Sequence, residues 1–103
     1  MVKRLKLGKI RGASILKIKE GSQFREDVKR VKKRGKSLNG LKKVIELLAN
    51  GEPLPGNFKD HSLTKEWSEY RECHIETDFL LIYRIEKEAL ILERVGTHND
   101  LFQ

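Results

Sequence analysis

Residues 70–95, YRECHIETDFLLIYRIEKEALILERV, decide the fold. They divide into three strand-like runs, Tyr70–Glu76, Phe79–Ile85 and Ala89–Val95, separated by Thr77-Asp78 and by Glu86-Lys87-Glu88. Both separators are short enough to be hairpin turns. The last two runs are apolar on both faces, which predicts the middle of a sheet with helices packed on one side. Strand alternation places Glu72, His74 and Glu76 on one face, and Arg71, Cys73 and Ile75 on the other. In the last run it places Leu90, Leu92 and Arg94 together.

Upstream, SILKIK (14–19) is short and β-branched, as a strand would be. Ser22 is a candidate N-cap for a helix to about Arg34, with Phe24, Val28 and Val31 as a narrow apolar stripe. Its other faces carry Arg25, Lys29, Arg30, Lys32 and Lys33, and Gly35 suits its stop. Ser37 can cap a second helix to about Asn50, although Gly40 at N3 excludes a capping box. The short link between them predicts an antiparallel helical hairpin. Gly51 and Pro53 end the second helix, and Pro53–Gly56 reads as a loop. Thr97–Gln103 reads as a short turn or helix. The order β-α-α-β-β-β is an α+β class: a two-helix hairpin on a four-stranded, mostly antiparallel sheet. Residues 1–13 are a basic extension that can be disordered, ahead of a single domain over 14–103.

The chain has 103 residues, the size of one domain. Its longest apolar run, Phe79–Tyr83, is five residues, against the roughly 20 that a membrane helix needs. The basic start is not followed by an apolar stretch, so no secretory leader is expected. A single cysteine, Cys73, allows neither an intrachain disulfide nor a cysteine zinc site. A cytoplasmic protein with no membrane contact is expected. The net charge of +7 is uneven: residues 1–36 hold 14 Lys/Arg against 3 Asp/Glu. Such a half attracts a polyanion, most simply nucleic acid, although an acidic protein could use the same face.

Three histidines occur, His61, His74 and His98. Adjacent strands can bring His74, Arg94 and His98 to one rim of the sheet. Such a set suits RNA cleavage without a metal or other cofactor. One imidazole takes a proton and another gives one, an arginine holds the phosphate, and the ribose 2′-hydroxyl is the nucleophile. Each histidine alone is more often structural or solvated, and Trp67 and Phe102 are more often packing residues than stacking platforms. A zinc site is the other reading, but separations of 13 and 24 residues match no local ligand motif.

FKDHSLTKEW, YRECHIETDFLLIYRI and LERVGTHNDLF closely resemble the YafQ branch of the RelE/ParE toxin superfamily. FREDVKRVKKRGKSLNGLKKVIELLANGEPLP resembles its two-helix segment. The resemblance implies a RelE-like fold and a toxin of a type II toxin–antitoxin pair, a ribosome-dependent endonuclease that cuts messenger RNA in the A site. It implies His98 as principal catalytic residue, with His61, His74, Asp78, Arg94 and Phe102 completing the site. Arg94 would contact phosphate, and the general base would be His61, His74 or Asp78. Phe79 stands where some members carry Trp, and Glu72 where Asp can occur. Arg25, Lys29, Arg30, Lys32, Lys33 and Arg34 would grip ribosomal RNA. The implied partners are the ribosome, messenger RNA and a cognate DNA-binding antitoxin with an acidic C-terminal segment. The alternative is a non-catalytic RNA-binding module or a ParE-like toxin that targets gyrase.

Overall fold

The computed structural model describes residues 16–102, so the basic extension over 1–13 lies outside the described residues. The elements are β1 (Lys17–Glu20), α1 (Ser22–Lys33), α2 (Asn39–Ala49), β2 (His61–Ser62), β3 (Arg71–Glu76), β4 (Phe79–Glu86), β5 (Ala89–Gly96) and α3 (His98–Phe102). The strands form one sheet of order β1-β5-β4-β3-β2, parallel only between β1 and β5. The expected strands are all present; β2 is a fifth strand of two residues, too short to leave a periodic signal.

Helices α1 and α2 cover one face. Phe24, Val28, Val31, Leu41, Val44 and Ile45 pack there on Cys73, Leu81, Tyr83, Leu90, Leu92 and Val95. Cys73 is fully buried, and that burial pushes its thiol up to about 12. Gly40 lets α2 sit close to β3, because a Cβ there would lie 3.0 Å from Cγ2 of Ile75. Ser22 is the first residue of α1 rather than its cap; Gly21 holds that position and no side chain caps it. Gly21 lies against the carbonyl of Leu92, 3.1 Å from where a Cβ would be, so a capping side chain has little room. Gly35 (φ 78°) and Gly51 (φ 73°) take the left-handed conformation that follows α1 and α2.

On the opposite face a smaller core of Leu80, Ile82 and Leu101 is closed by Leu63, Trp67 and Tyr70. Leu101 thereby anchors α3 on that face. The predicted alternation in β5 is broken. The register with β4 shifts between Ile82 and Tyr83, so that Arg94 opposes Ile82 and Leu92 opposes Tyr83, leaving Glu93 as an extra residue. Val95, not Arg94, therefore joins Leu90 and Leu92 under the helices.

Candidate active site

His61 opens β2, at the end of the loop that follows α2. Its Nδ1 donates to the carbonyl of Lys59 at 2.6 Å. The preceding Asp60 anchors that loop: its Oδ1 accepts from the Tyr83 hydroxyl at 2.6 Å and from Arg71 Nε at 3.1 Å. Arg71 also donates to Ser62 at 2.8 Å. Burial and the Asp60 carboxylate hold the Tyr83 hydroxyl well above its usual range.

His74 lies on β3, on the face away from the long helices. Oε1 of the buried Glu72 stands 3.4 Å from Nε2 of His61 and 3.4 Å from Nε2 of His74. One carboxylate oxygen thus bridges two imidazoles.

His98 opens α3. Its backbone N–H donates to Asp78 Oδ1 at 2.9 Å, and its Nδ1 lies 2.6 Å from the same oxygen. Asp78, in the β3–β4 turn, therefore fixes both the position and the orientation of the ring, with Nδ1 as donor and Nε2 turned away from it. These hydrogen bonds hold the Asp78 carboxyl below its ordinary value.

The rings make a continuous arc. Centroids are 6.2 Å apart for His61–His74, 6.1 Å for His74–His98, 6.3 Å for His98–Phe102 and 6.4 Å for Phe102–Trp67. Phe102 is 46% exposed, a large apolar ring left open to solvent. Trp67, read from the sequence as a packing residue, and Glu72, read only as standing where Asp can occur, both belong to this constellation.

Arg94 is placed differently. β1 accompanies β5 only as far as Leu92. Beyond it, the fully buried Asp27 of α1 takes the open edge, its Oδ2 accepting the Val95 N–H at 3.0 Å and Arg94 Nε at 2.7 Å. Arg94 Nη2 reaches Asp27 Oδ1 at 3.1 Å and the carbonyl of Asp100 at 3.4 Å. The guanidinium is thus held between α1 and α3.

The expected basic grip divides in the same way. Arg30 donates to Asp27 at 2.7 Å, and Arg34 makes a two-pronged contact with Asp100 at 2.8 and 3.0 Å. Lys29 pairs with Glu26 at 3.3 Å. Arg25 is half-buried, and Lys32 and Lys33 are exposed at the end of α1. Asp100 also accepts the Thr97 N–H at 3.0 Å, and Arg34 with Thr97 holds its carboxyl far below the usual carboxylate range.

A model of the YafQ family, bacterial toxins of type II toxin–antitoxin systems, matches residues 16–103. The chain belongs to the YafQ toxin family. Over 86 residues it is 45% identical to the mRNA interferase toxin YafQ of Escherichia coli (strain B / BL21-DE3), covering 82% of this chain and 94% of that protein. The crystal structure of the E. coli DinJ–YafQ complex superposes with TM-score 0.80 at 44% identity, over 85% of this chain and 99% of that one. A copper-bound mutant of a toxin from Helicobacter pylori superposes with TM-score 0.83 at 38% identity, over 85% and 100%. Among the described residues, no group of three or more His, Cys, Asp or Glu side chains is placed to hold a metal ion.

Proposed function

We propose that this chain is the toxin of a type II toxin–antitoxin pair and acts as a ribosome-dependent mRNA endonuclease in the cytoplasm, by histidine acid–base catalysis without a metal. The observation that carries the reading is the Asp78-anchored His98 facing the His61–Glu72–His74 group across one short arc of rings. Placement over one phosphodiester permits in-line transfer. The ribose 2′-oxygen attacks phosphorus, its proton passing to the His61–Glu72–His74 group. The bond to the 5′-oxygen breaks, and His98 delivers a proton to that leaving oxygen. The products are a 2′,3′-cyclic phosphate and a 5′-hydroxyl. Asp78 is the positioning partner of His98, and the exposed Phe102 ring offers a base a stacking surface. Arg94 adds its charge beside the phosphate from its seat on Asp27.

Lys32, Lys33 and Arg25 are the residues that meet ribosomal RNA, and an antitoxin with an acidic segment would cover the same face. That partner is supported by the antitoxin complex of the E. coli relative. No helix among the described residues is long and apolar enough to cross a membrane.

The test is primer extension on translated messenger in cells expressing the toxin without antitoxin. Discrete cuts inside reading frames are expected, and His98→Ala should abolish them, by about 10²–10⁴-fold, while ribosome binding persists. Cutting by a folded His98→Ala variant refutes the assignment. Purified toxin should keep cutting on ribosomes in EDTA concentrations that leave the ribosome intact. DNA damage without messenger cuts would point to a gyrase-directed toxin instead.

A further inference from the structure

We propose that the cleft beside His74 is a base-reading subsite for the nucleotide on the 5′ side of the cut, with Asn57 as its main specificity-determining residue. The proposal rests on the nuclease reading above and adds the part of the substrate that the cleft selects. Its ground is the unequal chemistry of the open aromatic rings beyond His98 and of the cleft beside His74.

At one end stand Trp67 and Phe102, edge to face at 6.4 Å. An open aromatic ring stacks on every base nearly alike, so this end holds RNA without choosing it. Beyond His74 the surface sinks into a cleft of about 350 Å³ lined by Asn57, Lys59, His74, Ile75, Glu76 and Thr77. That volume lies at the lower end of small-ligand pockets, roughly 300–1,000 Å³. The lining combines the His74 imidazole and one aliphatic side chain with a carboxamide, a hydroxyl, an ammonium and a carboxylate that Lys36 holds at 2.7 Å. A flat heterocycle needs this mixture: an apolar contact for its face and donors and acceptors for its edge.

The backbone adds to it. β2 covers β3 only at Arg71 and Glu72, and the register between β3 and β4 shifts between His74 and Glu76. The β2 side of His74–Glu76 is therefore an open strand edge, whose peptide groups sit at fixed spacing. Asn57 lies in a short 3₁₀ turn opposite, exposed, and offers an amide donor and a carbonyl acceptor side by side. Such a pair can read two neighbouring atoms of a base edge at once.

The polarity of the substrate follows from the proton path. His98 serves the leaving 5′-oxygen, so the nucleotide 3′ of the cut lies toward Phe102. The nucleotide that supplies the 2′-hydroxyl then lies toward His61 and His74, with its base at the cleft.

The test maps cut sites by primer extension over many translated messengers for the unaltered toxin, Asn57→Asp, Asn57→Ala and Thr77→Val, with thermal melts to verify folding. Asn57→Asp keeps the shape and replaces the amide donor with an acceptor. It should shift the base preferred immediately 5′ of the cut, and Asn57→Ala should flatten that preference by about tenfold. The preference 3′ of the cut should stay as it was. Cuts whose 5′ preference is unmoved in all three folded variants, or a change confined to the 3′ side, overturn the subsite and leave the nuclease reading standing. An unaltered toxin that makes no cuts overturns both.

Discussion

Asp78 carries more of the site than its exposure suggests. A single oxygen accepts both the backbone N–H and the ring nitrogen of His98. Asp78→Asn can supply an acceptor oxygen but not the charge, so cleavage should fall by about 10²-fold with the melting temperature nearly unchanged. Single-turnover cleavage on ribosomes would measure it. Asp27 is the opposite case, fully buried and bound to Arg94, Arg30 and the Val95 N–H. Asp27→Ala leaves the Arg94 guanidinium without its counter-charge and should cost about 3–5 kcal/mol in urea unfolding. The histidines and Asp78 were legible because their motifs stand in order along the chain. The partner of Arg94 was not. Asp27 sits in a run of charged residues and reads there as solvated, and a one-residue bulge at Glu93 leaves no mark in a single sequence.

Helix α3 is five residues long and cannot hold itself; tertiary contacts hold it. Leu101 packs beneath it, Arg34 grips Asp100 from α1, and Asp100 accepts the Thr97 N–H while donating its own N–H to the Thr97 hydroxyl. Both Asp78 and Asp100 have carboxyls held below the ordinary value of about 3.9. Their contribution to stability is therefore complete above that value and is lost as pH falls through their lowered folded values. Thermal melts should weaken below about pH 4, and Asp100→Asn should be less stable at neutral pH with a shallower acid decline. Gly96 is the matching backbone constraint, since a Cβ there would lie 2.8 Å from Oδ2 and 2.9 Å from Cβ of Asp100. Gly96→Ala should displace α3, costing about 1–3 kcal/mol in stability and more in cleavage than that loss explains. The three long strands and the helical hairpin were readable from periodicity and turn residues. β2 was not, because two paired residues show no alternation.

Over the whole molecule, positive charge serves two purposes that composition cannot separate. Arg30, Arg34 and Arg94 are paired with Asp27 and Asp100, three positive charges on two negative, while Lys32 and Lys33 remain on the open surface. Lys32→Ala with Lys33→Ala should weaken ribosome binding and lower its salt dependence, by about 0.7 for each phosphate no longer neutralised if the bound RNA is single-stranded. Arg34→Ala should instead reduce cleavage with little change in that slope. Co-sedimentation with ribosomes across a salt series separates the two.

The parallel pairing of β1 with β5 has one more consequence, for the birth of the protein. The first strand of the sheet finds its neighbour only after Ala89–Leu92 has been synthesised, and α1 docks on that same late strand. A chain that lacks β5 therefore has no partner for β1, no seat for α1 and no strand leading to His98. A chain ending at Glu88 should lack a cooperative melt, as circular dichroism would show.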